Sequence, residues 1–222
     1  MRRAIVLDLN ETLLDMSGLD PEFARLFGDR AVRREWFSQV LQMSLVATLV
    51  DQYRSFDKLA VSGLAVVARQ RGKVITDEEI ANVMARMREL AMYPDVRPAL
   101  ERLRDAGFTP SILSNSTAKS AAAHLEHNGM RDLVGEVMSV KAVKRYKPAR
   151  EAYEHAAEAL AMKPAGIRIV AAHAWDVTGA MAAGCRAAFV RRPHKALDPA
   201  AKAPDIVGDD LRAVVDRILE SD

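Results

Sequence analysis

Four short apolar runs, at residues 108–113, 136–140, 167–172 and 186–190, alternate with stretches of helical periodicity. A fifth run, residues 3–8, precedes them. Each has the length of a strand. Strand alternating with helix specifies βαβ units, and so a parallel sheet with helices on either side. The expected fold class is therefore α/β, a doubly wound parallel sheet.

The chain between the first and second runs has a different period. From Pro21 to about Met92 the pattern is helical. Val32, Trp36, Phe37, Val40, Leu41, Leu45 and Leu49 recur at spacings of three and four, the apolar stripe of a helix several turns long. A second helix is predicted from about Ser55 to Gln70, stopping at Gly72. Thr76 and Glu79 have the spacing of a capping box, which starts a third helix with Ile80, Val83, Met84 and Met87 on its inner face. Pro94 and Pro98 then punctuate the chain. Residues 15–92 thus read as an all-helical insertion after strand one, and residues 1–14 with 93–222 as one core domain. The tail from Pro193 to Pro204 reads as loop, and a last helix is predicted from about Asp209 to Leu219.

In a doubly wound sheet, ligands bind outside the carboxyl ends of the strands. Here those ends carry a particular set of side chains. Strand one runs into Asp8, with Asn10 and Thr12 in the following turn. Strand two ends at Ser114-Asn115-Ser116, and Lys147-Pro148 precedes a helical stretch containing Tyr153. Strand four ends in His173-Ala174-Trp175-Asp176. Taken singly, each has an ordinary explanation as a turn former, a helix cap, a core filler or a surface lysine. Together, each at a strand end or a helix start, they converge on one edge of the sheet. Asp8 is placed to act as an oxygen nucleophile. Ser114 and Asn115 offer neutral hydrogen bonds to a bound anion, and Lys147 keeps Asp8 ionised and offsets charge. Asp176 is placed to pair with Lys147 or to position a water. Asn10 disfavours any mechanism that needs a second carboxylic acid two residues after the nucleophile.

Composition narrows the partners. The formal net charge is only +2 and the basic residues are dispersed, so nucleic acid is not expected. Cys185 is the only cysteine, which excludes an internal disulfide and a cysteine-based zinc cluster and suits a reducing compartment. The apolar stretch before Asp8 is too short for a signal sequence or a membrane span. A cytoplasmic protein acting on a small molecule, with no membrane association, is the expectation.

Leu113-Ser114-Asn115-Ser116, Tyr146-Lys147-Pro148 with Tyr153, and Ala174-Trp175-Asp176 resemble the motifs of the haloacid dehalogenase superfamily, and within it those of the 2-haloacid dehalogenases of type II. The resemblance spans nearly the whole chain and implies a Rossmann-like core with the helical insertion as its cap. It also implies hydrolysis of 2-haloalkanoic acids to 2-hydroxy acids through an aspartyl ester. Asp8 would be the nucleophile, with Lys147, Asp176, Thr12 and Ser114 completing the catalytic set. Asn10, Phe37, Leu41, Phe56, Asn115, Tyr153, His173 and Trp175 would surround the substrate, and His173 and Asp176 would flank the hydrolytic water. Trp36 and Tyr53 also fall among the cap positions. The phosphatases of the superfamily carry a second aspartate where this chain has Asn10, and a further acid where it has Ala171, Ala172 and His173. That leaves too few hard oxygen donors for magnesium, so no metal and no cofactor is expected.

The chain departs from the dehalogenase pattern at Asn10-Glu11, at His173 and at Phe37, which aligns with an arginine that assists halide release. Arg33 and Arg34 one turn earlier, or Asn115 with Trp175, are the residues open to that role. Relatives of this kind are often homodimers through their caps. A phosphatase using the same Asp8, and a non-catalytic binding protein on the same scaffold, are the alternative readings.

Overall fold

The structure, a computed structural model, describes residues 4–221. Six strands form one sheet: β1 (Ala4–Leu7), β2 (Ser111–Ser114), β3 (Val137–Ser139), β4 (Ile167–Ala171), β5 (Arg186–Val190) and β6 (Ile206–Gly208). Their order is β3-β2-β1-β4-β5-β6 and every pairing is parallel. The chain builds outward from β1 on one side and then resumes on its other side with β4. The crevice between the carboxyl ends of β1 and β4 is thus the topological switch point, where such sheets hold their ligands.

Two elements differ from expectation. β2 begins at Ser111, not at residue 108, because Pro110 has no N–H for a ladder and its carbonyl instead accepts from Gly135 N at 2.9 Å. β6 falls between the expected loop, which ends at Pro204, and the expected last helix, on residues for which the sequence predicts no element. It is an edge strand of three residues, and Asp205 just before it pins it in place. That carboxylate takes the buried Arg168 of β4 at 2.8 and 2.9 Å and Arg186 of β5 at 3.2 Å.

The chain divides into two compact units, one holding the residues through Leu14 and those from Met92 onward, the other Asp15–Ala91. The second is all-helical: α1 (Asp20–Phe27), α2 (Val32–Leu49), α3 (Phe56–Gln70) and α4 (Asp77–Arg88), with a short 3-10 turn at Met16–Leu19. Its interior is aromatic. Phe23 lies 5.2 Å from Trp36, Trp36 lies 6.2 Å from Phe37, and Phe37 lies 6.3 Å from Phe56, centroid to centroid. The Trp36 indole N–H donates to Ala60 O at 2.9 Å, so the ring is buried without an orphan donor. The capping box of α4 is formed as the sequence indicates, and Val83 and Met87 are its buried residues. The apolar stripe of α2 outruns its packing: Leu45 and Leu49 are exposed, as are Val46 and Val50. Tyr53 lies in the loop between α2 and α3, not on a helix.

The first unit contributes α5 (Val96–Asp105), α6 (Ala118–His127), α7 (Arg150–Ala159), α8 (Ala174–Ala182) and α9 (Leu211–Ser221). Pro98 falls in the first turn of α5, where its missing N–H costs nothing, so it starts a helix and does not break one. Val6, Leu113, Ile169, Ala171 and Phe189 of the sheet pack with Tyr153, Ala156, Val177 and Ala180 in one buried cluster. Each fully buried aliphatic or aromatic side chain there stabilises by about 1.5–3 kcal/mol. Asp210 starts α9 two residues later than expected, accepting from Ala213 N at 2.8 Å. Among the described residues no helix is long and apolar enough to cross a membrane.

Candidate active site

β1 delivers Asp8 to the switch point. Its backbone N–H still belongs to the sheet, donating to Val170 O at 3.0 Å, while its carboxylate leaves the ladder. Thr12 Oγ1 donates to Asp8 Oδ2 at 2.6 Å and accepts from Ala172 N at 3.0 Å. One hydroxyl therefore aims the carboxylate and ties the end of β1 to the end of β4.

Lys147 is the centre of the site. Its side chain is 1% exposed, and Nζ lies 2.8 Å from Asp8 Oδ1 and 2.6 Å from Asp176 Oδ2. The remaining Asp176 oxygen, Oδ1, accepts from Tyr153 OH at 2.7 Å. All four carboxylate oxygens thus have a donor, and one ammonium sits between two buried anions. Burial pushes Asp8 up, but the charge and hydrogen bond of Lys147, with His173 and Thr12 adding to them, hold the carboxyl below its ordinary value. Burial raises Asp176, with Lys147 opposing and the charge of Asp8 adding to the rise. Burial works against the Lys147 ammonium too, yet Asp176 and Asp8 together keep its pKa above the usual lysine value. The site is built to keep Asp8 ionised in a dry environment.

Packing holds this arrangement. A Cβ on Gly179 of α8 would come within 2.4 Å of Pro148 Cβ and 2.7 Å of Tyr153 OH. Only a glycine lets α8, which carries Asp176, approach the Lys147-Pro148 loop and α7 so closely.

The β2 loop supplies the neutral groups. Ser114 Oγ accepts from Ser116 N at 3.0 Å, and Asn115 Oδ1 accepts from Lys147 N at 3.1 Å. Asn10 Nδ2 donates to Ser116 Oγ at 3.2 Å, and Ser139 Oγ donates to Ser116 O at 2.7 Å. Two buried polar atoms are left over among the described residues of this loop cluster, Asn115 Nδ2 and Asn10 Oδ1. A donor and an acceptor buried without partners suit a bound ligand that is both anionic and polar.

The structure thus brings together Asp8, Thr12, Lys147, Tyr153 and Asp176 by direct contact, and Asn10, Ser114 and Asn115 through Ser116 and Lys147. Tyr153, expected among the substrate contacts, has its hydroxyl on Asp176. His173 and Trp175 stack at the start of α8 with ring centroids 4.9 Å apart. Phe37, Leu41 and Phe56 belong to the helical unit; Phe37 and Phe56 are buried there and Leu41 half-buried. Arg33 is buried in the same unit and lies 2.5 Å from Asp20, while Arg34 is exposed.

Two supports depend on partners that no sequence pattern marks. Arg192 Nε and Nη2 donate to Thr12 O at 3.0 and 2.9 Å, and Nη1 donates to both Asp95 oxygens at 2.9 and 2.8 Å. The guanidinium lies 4.1 Å from the Tyr93 ring centroid. This buried pair clamps the turn that presents Thr12 to Asp8. The second support is Glu11, which pairs with Lys195 beside His173.

The donor set argues against a metal between the carboxylates. Lys147 Nζ already stands there, and the described residues hold no cluster of three or more His, Cys, Asp or Glu suited to a cation.

Residues 2–184 match the sequence profile of a hydrolase family described as haloacid dehalogenase-like hydrolase. The chain belongs to this family. Within the haloacid dehalogenase-like hydrolases it is 30% identical over 184 residues to (S)-2-haloacid dehalogenase 4A of Burkholderia cepacia, covering 80% of this chain and 78% of that protein. It is 29% identical over 195 residues to (S)-2-haloacid dehalogenase 1 of Pseudomonas sp. strain CBS-3, covering 87% and 86%. Its fold superposes on that of L-2-haloacid dehalogenase from Xanthobacter autotrophicus with a TM-score of 0.91 at 24% identity, covering 100% and 99% of the two chains.

Proposed function

We propose that this protein is a hydrolytic dehalogenase of small 2-haloalkanoic acids, acting through an ester on Asp8. The observation that carries the reading is Lys147 Nζ held at 2.8 Å from Asp8 Oδ1, deep in the fold at the switch point. An ionised carboxylate with little water around it and one fixed counter-charge is a competent oxygen nucleophile.

In the first step an Asp8 oxygen attacks C2 of the substrate from the side opposite the halogen. The C2–halogen bond breaks and halide leaves with the bonding pair. Ser114 and Asn115, with the backbone amides of their turn, hold the substrate carboxylate, with Asn115 Nδ2 as the uncommitted donor for it, while the Thr12 hydroxyl, already donated to Asp8, aims the nucleophile and does not take the carboxylate role expected of it. Lys147, anchored by Asp176, keeps its charge as Asp8 loses its own. In the second step water adds to the Asp8 carboxyl carbon, releasing the 2-hydroxy acid and regenerating the carboxylate. Trp175 is assigned to the substrate's alkyl group, and residues 15–92 are assigned as the cap.

The relatives from Burkholderia cepacia and Pseudomonas support the substrate class by their activity. We further assign the protein to the cytoplasm, with no nucleic-acid partner and no metal. The exposed Leu45, Val46 and Leu49 of α2, with Val50 just after it, are assigned to a homodimer contact; light scattering showing a monomer at working concentration contradicts that part. The activity itself is tested by halide release from a panel of 2-chloro and 2-bromo acids, with para-nitrophenyl phosphate alongside. Halide release without phosphate release supports the dehalogenase reading. Phosphate release alone replaces it with a phosphatase.

A further inference from the structure

The Thr12 hydroxyl touches the nucleophile, and the turn that carries it is strained. The amides of Thr12, Leu13 and Leu14 all donate to one carbonyl, Leu9 O, at 3.3, 2.9 and 3.0 Å. Glu11, inside this turn, has φ of +58°, a left-handed conformation that costs a residue with a side chain. Such a backbone persists only where its surroundings over-determine it. Thr12 is fully buried, so its carbonyl needs a partner within the protein.

Arg192 is that partner, and it is itself held from three sides. Its Nε and Nη2 donate to Thr12 O at 3.0 and 2.9 Å, and Nη1 donates to Asp95 Oδ1 and Oδ2 at 2.9 and 2.8 Å. Asp95 Oδ2 also accepts from Leu211 N at 2.6 Å, which anchors the carboxylate to the start of α9. The Tyr93 ring, 4.1 Å from the guanidinium, fixes the plane of the fork. All three guanidinium nitrogens are committed, and two of them go to one carbonyl.

The hydroxyl on the other side of Thr12 has one direction left to it. Oγ1 accepts from Ala172 N at 3.0 Å, so its proton is given to Asp8 Oδ2, at 2.6 Å. Moving the Thr12 backbone would draw the hydroxyl off Asp8 and off the end of β4 together.

We propose that Arg192 is a positioning residue of the displacement step: by fixing the Thr12 carbonyl it keeps the Thr12 hydroxyl on Asp8 Oδ2 and so sets the aim of the nucleophile. The inference rests on the Asp8 reading above. Arg192 acts through Thr12, and a lysine cannot replace it, because one ammonium nitrogen cannot serve Asp95 and Thr12 O in the geometry of a planar fork.

A double-mutant cycle tests this with Thr12→Val, Arg192→Lys and the two combined. Halide release is followed in a single turnover of a 2-bromo acid with enzyme in excess, and amide hydrogen exchange at Ala172 and Asp8 is followed by NMR without substrate. Each single variant should slow halide release by about 10-fold or more, the effect of losing a hydrogen bond to a charged group. The combined variant should be no slower than the slower single one, since both act through one hydroxyl. In both single variants the Ala172 amide, which donates to Thr12 Oγ1, should exchange about 10-fold faster relative to that of Asp8, which donates to Val170 O. A general loss of stability would move both amides alike. Should Arg192→Lys fail to fold, Arg192→Met with Asp95→Asn, which strands no buried charge, takes its place with the same expected results. Losses that multiply in the combined variant overturn the proposal. So does an arginine variant with the wild-type halide rate, or with an unchanged ratio of the two exchange rates. Wild type that releases no halide refutes the dehalogenase reading instead, and the exchange ratio then still decides whether Arg192 places the Thr12 hydroxyl.

Discussion

Replacing Lys147 by methionine keeps the length of the side chain and deletes the charge that two buried carboxylates share. Asp8 and Asp176 lie 2.8 and 2.6 Å from the ammonium, and all three side chains are nearly inaccessible to water. Breaking a buried pair by removing one partner costs about 3–5 kcal/mol, because the charge left behind is neither solvated nor paired. With an m-value of about 2 kcal/mol per M of urea, the unfolding midpoint should fall by about 1.5–2.5 M. The sign of the pH dependence follows. In wild type the Asp8 carboxyl is held below its ordinary value, so its contribution is present above the unfolded pKa and lost as pH falls through the folded one. In Lys147→Met burial keeps only the Thr12 and Tyr153 hydroxyls and His173 against it, and both carboxyls rise. That penalty applies above the unfolded pKa and disappears as pH falls through the raised folded values. The raised carboxyls of the variant narrow the gap already at mildly acid pH, and the wild-type contribution of Asp8 is lost only below the ordinary carboxyl range. Urea unfolding followed by circular dichroism at about pH 8 and about pH 5 checks this. A variant as stable as wild type, or a gap that does not shrink at the lower pH, refutes the electrostatic argument.

Gly179→Ala should destabilise by about 1–3 kcal/mol through overpacking against Pro148 and Tyr153, and should slow halide release by moving α8 away from Lys147; an unchanged melting temperature and rate would contradict the packing described. Arg192→Met should cost about 3–5 kcal/mol by stranding Asp95, and adding Asp95→Asn to it should recover part of the loss in the same unfolding assay. Chelator should leave halide release unchanged and added magnesium should not raise it, whereas collapse in chelator with recovery on magnesium would mean that the carboxylates bind a cation.

The strands at Val137–Ser139, Ile167–Ala171 and Arg186–Val190 were legible because a strand with helices on both faces must be apolar on both. β6 was not, since three residues at an edge carry no period and its place depends on Asp205 meeting two arginines from other strands. Asp8, Lys147 and Asp176 stood out because each polar residue interrupts an apolar or helical pattern at a point where this topology collects its ligands. The clamp of Arg192 on Asp95 joins residues 97 positions apart, and the Lys195 partner of Glu11 is 184 positions away. No local pattern marks such pairs; the sheet order chooses them. The spacing that places Leu45 and Leu49 on the apolar stripe of α2 cannot tell how far along the helix its neighbours extend, and both are exposed.

The central claim is that Asp8 itself becomes covalently bonded to substrate. A single turnover in heavy-oxygen water, with enzyme in excess over a 2-bromo acid, tests it directly through the mass of the proteolytic peptide carrying Asp8. The account predicts that the heavy oxygen enters the Asp8 carboxylate, while the first hydroxy acid released carries an ordinary oxygen taken from the enzyme. Label found in the hydroxy acid of that first turnover, with none in the Asp8 peptide, would mean that water attacks C2 directly and would contradict the account.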